Sequence, residues 1–120
     1  AKSTPVYLYL FSYVPVSMKD WMRYGASHAS EIAYVFDNLV ERNGITFTEK
    51  DKEVGKIMNA YWANFAKTGN PNGKGLPLWP TYDSNKNEVF EFTSDGSAGN
   101  FSDQRKARLD VIEKAFDSNK

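Results

Sequence analysis

The residue with the clearest chemical potential is His28, the only histidine among 120 residues. It lies in segment 25–36, Gly-Ala-Ser-His-Ala-Ser-Glu-Ile-Ala-Tyr-Val-Phe, between a predicted strand and a predicted helix. A loop that is held at both ends and open to a cleft suits a general base, which must reach the proton that it removes. Such a base also needs a nucleophile and an orienting carboxylate. The residue types alone leave two interpretations of His28 open, a general base and a structural loop residue.

The chain offers no self-contained nucleophile for this histidine. The serine-hydrolase elbow Gly-x-Ser-x-Gly does not occur: Ser94 is followed by Gly96, but Phe92 stands where the first glycine belongs. Ser27 adjoins His28, yet neighbouring side chains on a loop seldom face each other. Cysteine is absent, which excludes a thiol nucleophile, a thiolate zinc site and disulfides.

Metal and nucleotide chemistry are not indicated by the sequence either. A single histidine with scattered carboxylates matches no ligand spacing for zinc, and there is no Asp-rich calcium loop. No phosphate-binding glycine motif opens a predicted helix. We therefore expect no metal and no cofactor.

Composition and charge are those of an ordinary globular chain of single-domain length. Hydrophobic residues make up 41%, and 15 basic residues balance 15 acidic ones, so the net charge is zero. This argues against nucleic acid and anionic membranes as partners, since both require a basic surface. No apolar run approaches the ~20 residues that span a bilayer, and the order of a signal peptide is missing. We expect a soluble protein, cytoplasmic or secreted from a bacterium, and the sequence leaves the compartment open.

Two segments have the composition of β-strands. Residues 6–14, bounded by Pro5 and Pro15, are aromatic and branched without polar alternation, so both faces of this strand should be buried, as in a central parallel strand. Residues 88–93 predict a short alternating strand. A central strand needs neighbours on both edges, so the pattern indicates that part of the sheet is missing.

An amphipathic helix is predicted directly after the histidine, over residues 32–40. Ser27 or Ser30 is its candidate cap, Glu31 lies in its first turn, and the turn Asn43-Gly44 ends it. Its buried face would comprise Ile32, Val35, Phe36, Leu39 and Val40.

A second, clearer helix follows, with Thr48 as its cap and Asp51 as the partner in a capping box. Gly69 and Pro71 end it, and residues 70–87 should be irregular. A last helix is predicted from Ser102 to about Asp117. The apolar stripe of the second helix comprises Val54, Ile57, Met58, Tyr61, Trp62 and Phe65. The apolar residues expected to anchor the irregular segment are Leu76, Leu78, Trp79 and Tyr82. The last helix has Leu109, Ile112 and Phe116 on one side.

From residue 6 to about residue 112 the chain resembles the carboxyl-terminal part of type-B carboxylesterases, the esterase and cholinesterase family of α/β-hydrolases. Val-Tyr-Leu-Tyr-Leu-Phe-Ser-Tyr at 6–13 resembles the strand before the family's histidine loop, and 25–36 resembles that loop and the helix after it. The family's distal signature is matched by Asp51, Met58, the run Tyr-Trp-Ala-Asn-Phe-Ala-Lys-Thr-Gly-Asn-Pro-Asn at 61–72, and Leu-Trp-Pro-Thr-Tyr at 78–82. Two departures concern turns: Asp37 where glycine is frequent, and Asn70 where aspartate is usual.

The resemblance implies an α/β fold, the C-terminal portion of an α/β-hydrolase fold with one central strand, two to three amphipathic helices and one short later strand. Alone, such a segment should be mainly helical with few strands. The family's elbow serine, oxyanion glycines and acidic triad member all lie upstream of the matching segment. Residues 1–120 are therefore expected to form an incomplete domain, the C-terminal part of a carboxylesterase.

The resemblance also assigns roles to residues. His28 would be the general base of a serine carboxylesterase that hydrolyses carboxylic esters through an acyl-enzyme, with the serine and the acid outside this chain. Glu31 would anchor the loop and the helix start rather than act as the acid. For Trp21 and Met22, lining of the acyl or alcohol pocket and plain loop packing are equally compatible.

Two functional hypotheses from different classes stay open. In the first, the chain is catalytic only when combined with the upstream esterase segment and an ester substrate. In the second, it is a catalytically inert remnant that self-associates and serves as a binding module, because unpaired strand edges favour association. Neither hypothesis identifies a substrate.

Overall fold

The computed structural model describes residues 3–120, which form a mixed α/β fold with a three-stranded sheet. The elements in chain order are β1 (Tyr9–Phe11), a short 3-10 turn (Val16–Met18), α1 (Ile32–Val35), α2 (Glu49–Thr68), β2 (Glu88–Phe92), β3 (Ala98–Ser102) and α3 (Lys106–Asp117).

The sheet has the order β1-β2-β3, with β1 parallel to β2 and β3 antiparallel to β2. Tyr9 pairs with Phe90 and Phe11 with Phe92, so β1 is only three residues long and not the nine-residue strand predicted over 6–14. It ends at Phe11 because β2, its one partner among residues 3–120, ends at Phe92. Within the described chain β1 therefore lies at an edge, and the second neighbour that a central strand needs is not found among residues 3–120.

The strand β3 has no counterpart in the sequence prediction. Its residues, Ala-Gly-Asn-Phe-Ser, have little intrinsic strand preference. It forms because a tight turn reverses the chain after β2: the amide of Ser97 donates to the carboxylate of Asp95, and Gly96 adopts a φ of 85°. The resulting hairpin pairs Val89 with Phe101.

Helix α1 is shorter than predicted and is capped differently. It ends at Val35 rather than near Asn43-Gly44, because Asp37 adopts a left-handed backbone with a φ of 48°. Leu39 and Val40 therefore lie outside the helix. Its N-cap is Glu31 without a side-chain cap bond, so the predicted serine caps, Ser27 and Ser30, were wrong.

Helix α2 confirms the predicted termini. The Thr48 hydroxyl accepts from the amide of Asp51, and the Asp51 carboxylate accepts from the amide of Thr48, which completes the capping box. Gly69 ends the helix with a φ of 76°. Met58 and Tyr61 are fully buried, whereas Phe65, at the C-terminal end of the same apolar stripe, is exposed to solvent.

The core is an aromatic cluster between α2 and the sheet. Trp79 stacks on Phe90 with ring centroids 4.8 Å apart, and its indole Nε1 donates to the carbonyl of Leu8. Asn72 holds the backbone of Trp79 through two hydrogen bonds of 2.6 and 2.8 Å. Trp79, one of the apolar residues predicted to anchor this segment, is therefore buried, whereas Leu78 and Tyr82, predicted to do the same, are exposed.

Helix α3 begins at Lys106, four residues later than predicted, because Ser102 belongs to β3 and Asp103 accepts hydrogen bonds from Arg105 in the intervening turn. Its apolar side is exposed: Phe116 retains 71% of its surface, and no residue of α3 is buried. Nothing within residues 3–120 covers this side.

Candidate active site

His28 lies in a tight turn that leads directly into α1. The amide of Ser30 donates to the carbonyl of Ser27 at 3.1 Å, and the amide of Ile32 donates to that of Ala29. Ala29 has a φ of 64°, a left-handed conformation that costs a non-glycine residue about 1 kcal/mol. Strained backbone conformations of this kind are common at functional sites, which makes this turn a candidate for a functional role.

The imidazole of His28 is exposed to solvent. It takes part in none of the side-chain hydrogen bonds or ion pairs formed between residues 3 and 120. This part of the chain therefore brings neither a serine hydroxyl nor a carboxylate into hydrogen-bond contact with it. Within residues 3–120, the turn therefore presents an imidazole without a side-chain partner.

Glu31 lies next to β1 and not on the imidazole of His28. Burial, and then the negative charge of the nearby Glu31 carboxylate, raise the pKa of Tyr9 on β1. Glu31 also occupies the N-cap position of α1, where its carbonyl accepts from the amides of Tyr34 and Val35. The residue thus connects the start of α1 with the strand beneath it.

The side chains of Trp21 and Met22 lie in different surroundings. Met22 lines a cleft of about 630 Å³ beside the histidine turn, whereas Trp21 is 89% exposed and lies beside Asp20 and Tyr24. The cleft is mainly apolar, and its wall includes Met18, Met22, Ala29, Phe36, Leu39 and Phe47. Only Met22 of the two candidates is therefore placed to line a pocket near His28.

A buried carboxylate lies in the first turn of α2. Asp51 is 0% exposed; its Oδ2 accepts from the amide of Thr48 at 2.6 Å, and its Oδ1 accepts from the hydroxyl of Tyr13. Burial and this hydrogen bond raise the pKa of Tyr13. The sequence marks Asp51 as a capping residue and as part of the family's distal signature, and neither feature predicts its hydrogen bond with Tyr13.

Tyr34 of α1 packs against this group. Its ring lies edge-on to the ring of Tyr13 with centroids 5.8 Å apart, and only 3% of Tyr34 is exposed. Its hydroxyl is buried without a hydrogen-bond partner in the described structure. Burial and the negative charge of Asp51 raise the pKa of Tyr34.

Metal-binding clusters and membrane-spanning helices are both absent from residues 3–120. No group of three or more His, Cys, Asp or Glu side chains is arranged to hold a metal ion. No helix combines the length and the apolar character that crossing a membrane requires.

Comparison with known proteins places the chain in a family. The model of the carboxylesterase family matches residues 1–110. Human cocaine esterase is 43% identical over 81 residues, covering 66% of this chain and 14% of that protein. Dog carboxylesterase 5A is 44% identical over 84 residues, covering 65% of this chain and 15% of that protein. The chain thus spans about one seventh of the length of these curated relatives.

A solved structure shows the same fold. The carboxylesterase of Geobacillus stearothermophilus, at pH 6.2, superposes with a TM-score of 0.66 and 30% identity, over 88% of this chain and 21% of that chain. The expected fold class, an α/β fold of the α/β-hydrolase type, is thereby confirmed. On the evidence of both sequence and fold, the chain belongs to the carboxylesterase family.

Proposed function

We propose that His28 is the general base of a serine carboxylesterase that hydrolyses carboxylic esters. The observation that carries this proposal is the position of His28. The only histidine of a carboxylesterase-family chain is exposed on a strained turn between a sheet strand and a helix anchored on α2. An exposed imidazole on a well-anchored turn can meet a nucleophile that approaches from another segment.

In this mechanism, the Nε2 atom of His28 takes the proton of a serine hydroxyl as the serine oxygen attacks the ester carbonyl. The imidazolium then protonates the leaving alcohol, and an acyl-enzyme results. The same nitrogen next removes a proton from water as the water oxygen attacks the acyl carbonyl. It then returns this proton to the serine oxygen as the acyl–serine bond breaks and the carboxylic acid leaves. A carboxylate that accepts from Nδ1–H would hold the tautomer.

The serine and this carboxylate are proposed to come from outside residues 1–120, which would then be an incomplete domain. Support comes from the edge of the sheet, where β1 pairs with β2 on one side only within the described chain. Val6 and Leu8, beside β1, are exposed large apolar side chains. A sheet edge with adjacent apolar surface is suited to receive a further strand.

The cleft beside the turn suggests the class of substrate. Its wall of Met18, Met22, Phe36 and Phe47 suits an apolar acyl or alcohol group, since apolar side chains gain free energy when such a group covers them. Cocaine esterase and acylcarnitine hydrolase, two relatives, are named for different substrates. We transfer neither substrate to this chain.

Glu31 is proposed to hold the histidine turn against β1 rather than to complete a triad with His28. Support comes from its position as the N-cap residue of α1, three residues after His28, and from the raised pKa of Tyr9 on β1, to which burial and then the charge of Glu31 contribute.

A second candidate function is a catalytically inert module that binds a partner or a second copy of itself. The exposed, unpaired imidazole of His28 and the single-sided pairing of β1 favour it, because neither feature requires catalysis. It differs from the first candidate in requiring no serine.

Hydrolysis of a short-chain activated ester separates the two candidates. The chain is assayed alone and with the serine-bearing segment of the Geobacillus stearothermophilus carboxylesterase, as wild type, His28→Ala and the control Tyr24→Phe. Turnover that appears only with the added segment, and that is lost in His28→Ala but kept in Tyr24→Phe, supports the esterase proposal. A stable oligomer without turnover in any mixture supports the inert module.

A further inference from the structure

We propose that Asp51 is a positioning residue for His28, acting through Tyr13 and Tyr34. The inference deepens the proposed function, because it rests on His28 as the base and names the group that orients the turn carrying it. Asp51 touches neither the imidazole nor a substrate site, so its action would be indirect.

Asp51 connects the segment after β1 with helix α2. Asp51 stands in the first turn of α2, and Tyr13 follows β1, 38 residues earlier. The carboxylate accepts from the Tyr13 hydroxyl with one oxygen and from the Thr48 amide with the other. Hydrogen bonds to an ionised acceptor are strong and directional, so the two donors define where Tyr13 lies relative to α2.

Helix α1 packs against both Tyr13 and α2. The ring of Tyr34 lies edge-on to the ring of Tyr13, so the position of Tyr13 limits where α1 can dock. Gly55 of α2 permits the close approach, since a Cβ atom there would meet Asp37 Oδ1 at 3.1 Å and Tyr34 Cδ1 at 3.9 Å. Asn59 then donates to the carbonyl of Val35 at 2.9 Å.

Helix α1 is joined through its backbone to the turn that carries the imidazole of His28. Three backbone hydrogen bonds join the turn to the helix: the amide of Ser30 donates to the carbonyl of Ser27, that of Ile32 to Ala29, and that of Tyr34 to Glu31. The turn and α1 should therefore move as one unit. A displacement of Tyr34 would reach His28, six residues away, within less than two turns of backbone.

A carboxylate at this site is informative because an apolar side chain would be easier to bury. Placing a charge in the core is costly unless its lone pairs find donors. Apolar packing would hold Tyr13 without a preferred direction, whereas the hydrogen bond from its hydroxyl selects one orientation of the ring. The geometry therefore suits a role in orientation more than one in adding stability.

The test uses the fact that His28 is the only histidine, so its imidazole gives one unambiguous Cε1–H NMR signal in the 120-residue chain. The principal variant is Tyr13→Phe, which removes only the hydroxyl that donates a hydrogen bond to the Asp51 carboxylate. We expect the His28 signal to shift or broaden, and the amides of Tyr34 and Val35 to exchange about fivefold faster with solvent.

One control separates positioning from general loss of stability. Tyr61→Phe removes another buried hydroxyl, which donates to the carbonyl of Pro77 and makes no hydrogen bond to Asp51. This variant should leave the His28 signal in place. Gly55→Ala is the second test variant: it favours α2, but its Cβ would lie 3.1 Å from Asp37 Oδ1 and press on the segment that follows α1. It should therefore move the His28 signal although α2 gains helix propensity.

An unchanged His28 signal in Tyr13→Phe would overturn the proposal, as would an equal change in Tyr61→Phe. Should Tyr13→Phe not fold, Gly55→Ala decides by the same signal. These measurements need no turnover, so they stand apart from the ester assay. In the complemented enzyme, Tyr13→Phe should lower kcat at least severalfold with little effect on KM, and failure of complementation would count only against the esterase proposal.

Discussion

The side-chain amide of Asn59 on α2 donates a 2.9 Å hydrogen bond to the backbone carbonyl of Val35, the last residue of α1. A helix leaves its final carbonyls without intrahelical donors, so a side chain from a neighbouring helix can satisfy one of them. In this chain that donor fastens the short helix behind the histidine turn to the longest helix of the fold.

Asn59→Ala should lower the free energy of unfolding by about 1 kcal/mol, because it leaves the carbonyl of Val35 without its donor. Urea unfolding followed by circular dichroism measures the change. Asn85→Ala is the control, since Asn85 is exposed and its side chain bonds only to Asp83. Equal stability of wild type and Asn59→Ala would show that the bond does not hold α1.

Trp79→Ala should destabilise the chain by about 3–5 kcal/mol, the range for removing a large aromatic residue from a core. Trp79 is almost completely buried and stacks on Phe90. The matched control is Trp21→Ala, which should change stability by less than about 0.5 kcal/mol since Trp21 is exposed. Comparable losses in the two variants, measured by denaturant unfolding, would contradict the packing described for the core.

Thr48→Ala should cost about 1 kcal/mol, because the Thr48 hydroxyl is the acceptor for the amide of Asp51 at the start of α2. Thermal unfolding gives the loss. Thr48→Ser keeps the hydroxyl and should retain most of the stability, so a loss as large as that of Thr48→Ala would argue against the cap.

Alkaline pH should destabilise the fold through Tyr61. Burial raises the pKa of Tyr61 to about 12, above the value of about 10 for an exposed tyrosine. A group whose pKa is higher in the folded chain contributes stability that is fully present below pH 10 and is lost as pH rises through 12. Unfolding free energies between pH 9 and 12 measure this decline.

Tyr61→Phe removes the titrating hydroxyl and serves as the comparison, so its stability should fall less steeply over the same interval. Parallel curves for wild type and Tyr61→Phe would show that the Tyr61 hydroxyl does not contribute to the pH dependence.

Features of the fold that depend on adjacent residues were predictable. Thr48, Asp51 and Gly69 delimit α2 as expected, because capping bonds join residues only a few positions apart. The end of α1 was not predictable in this way. Leu39 and Val40 continue the helical spacing, but the left-handed backbone at Asp37 turns the chain off the helix where it meets α2.

The candidate site shows the same division. The sequence singled out His28 by its chemistry and its family resemblance, and it named Met22 and Trp21 together. Their different surroundings depend on how the loop 16–31 is folded, which its residue types do not specify. The strand β3 likewise depends on a partner, since Ala98–Ser102 has little strand preference until the turn brings it to β2.

The sequence by itself determined the family, the boundaries of α2 that its capping box and Gly69 set, and the histidine that we propose as the base. Only the tertiary structure decided that Asp51 receives the hydroxyl of Tyr13, that Tyr34 packs beside it, and that β1 lies at an edge. The physical reason is range. A cap is settled by a hydrogen bond within one helical turn, whereas these contacts join segments tens of residues apart and exist only once the chain has brought them together.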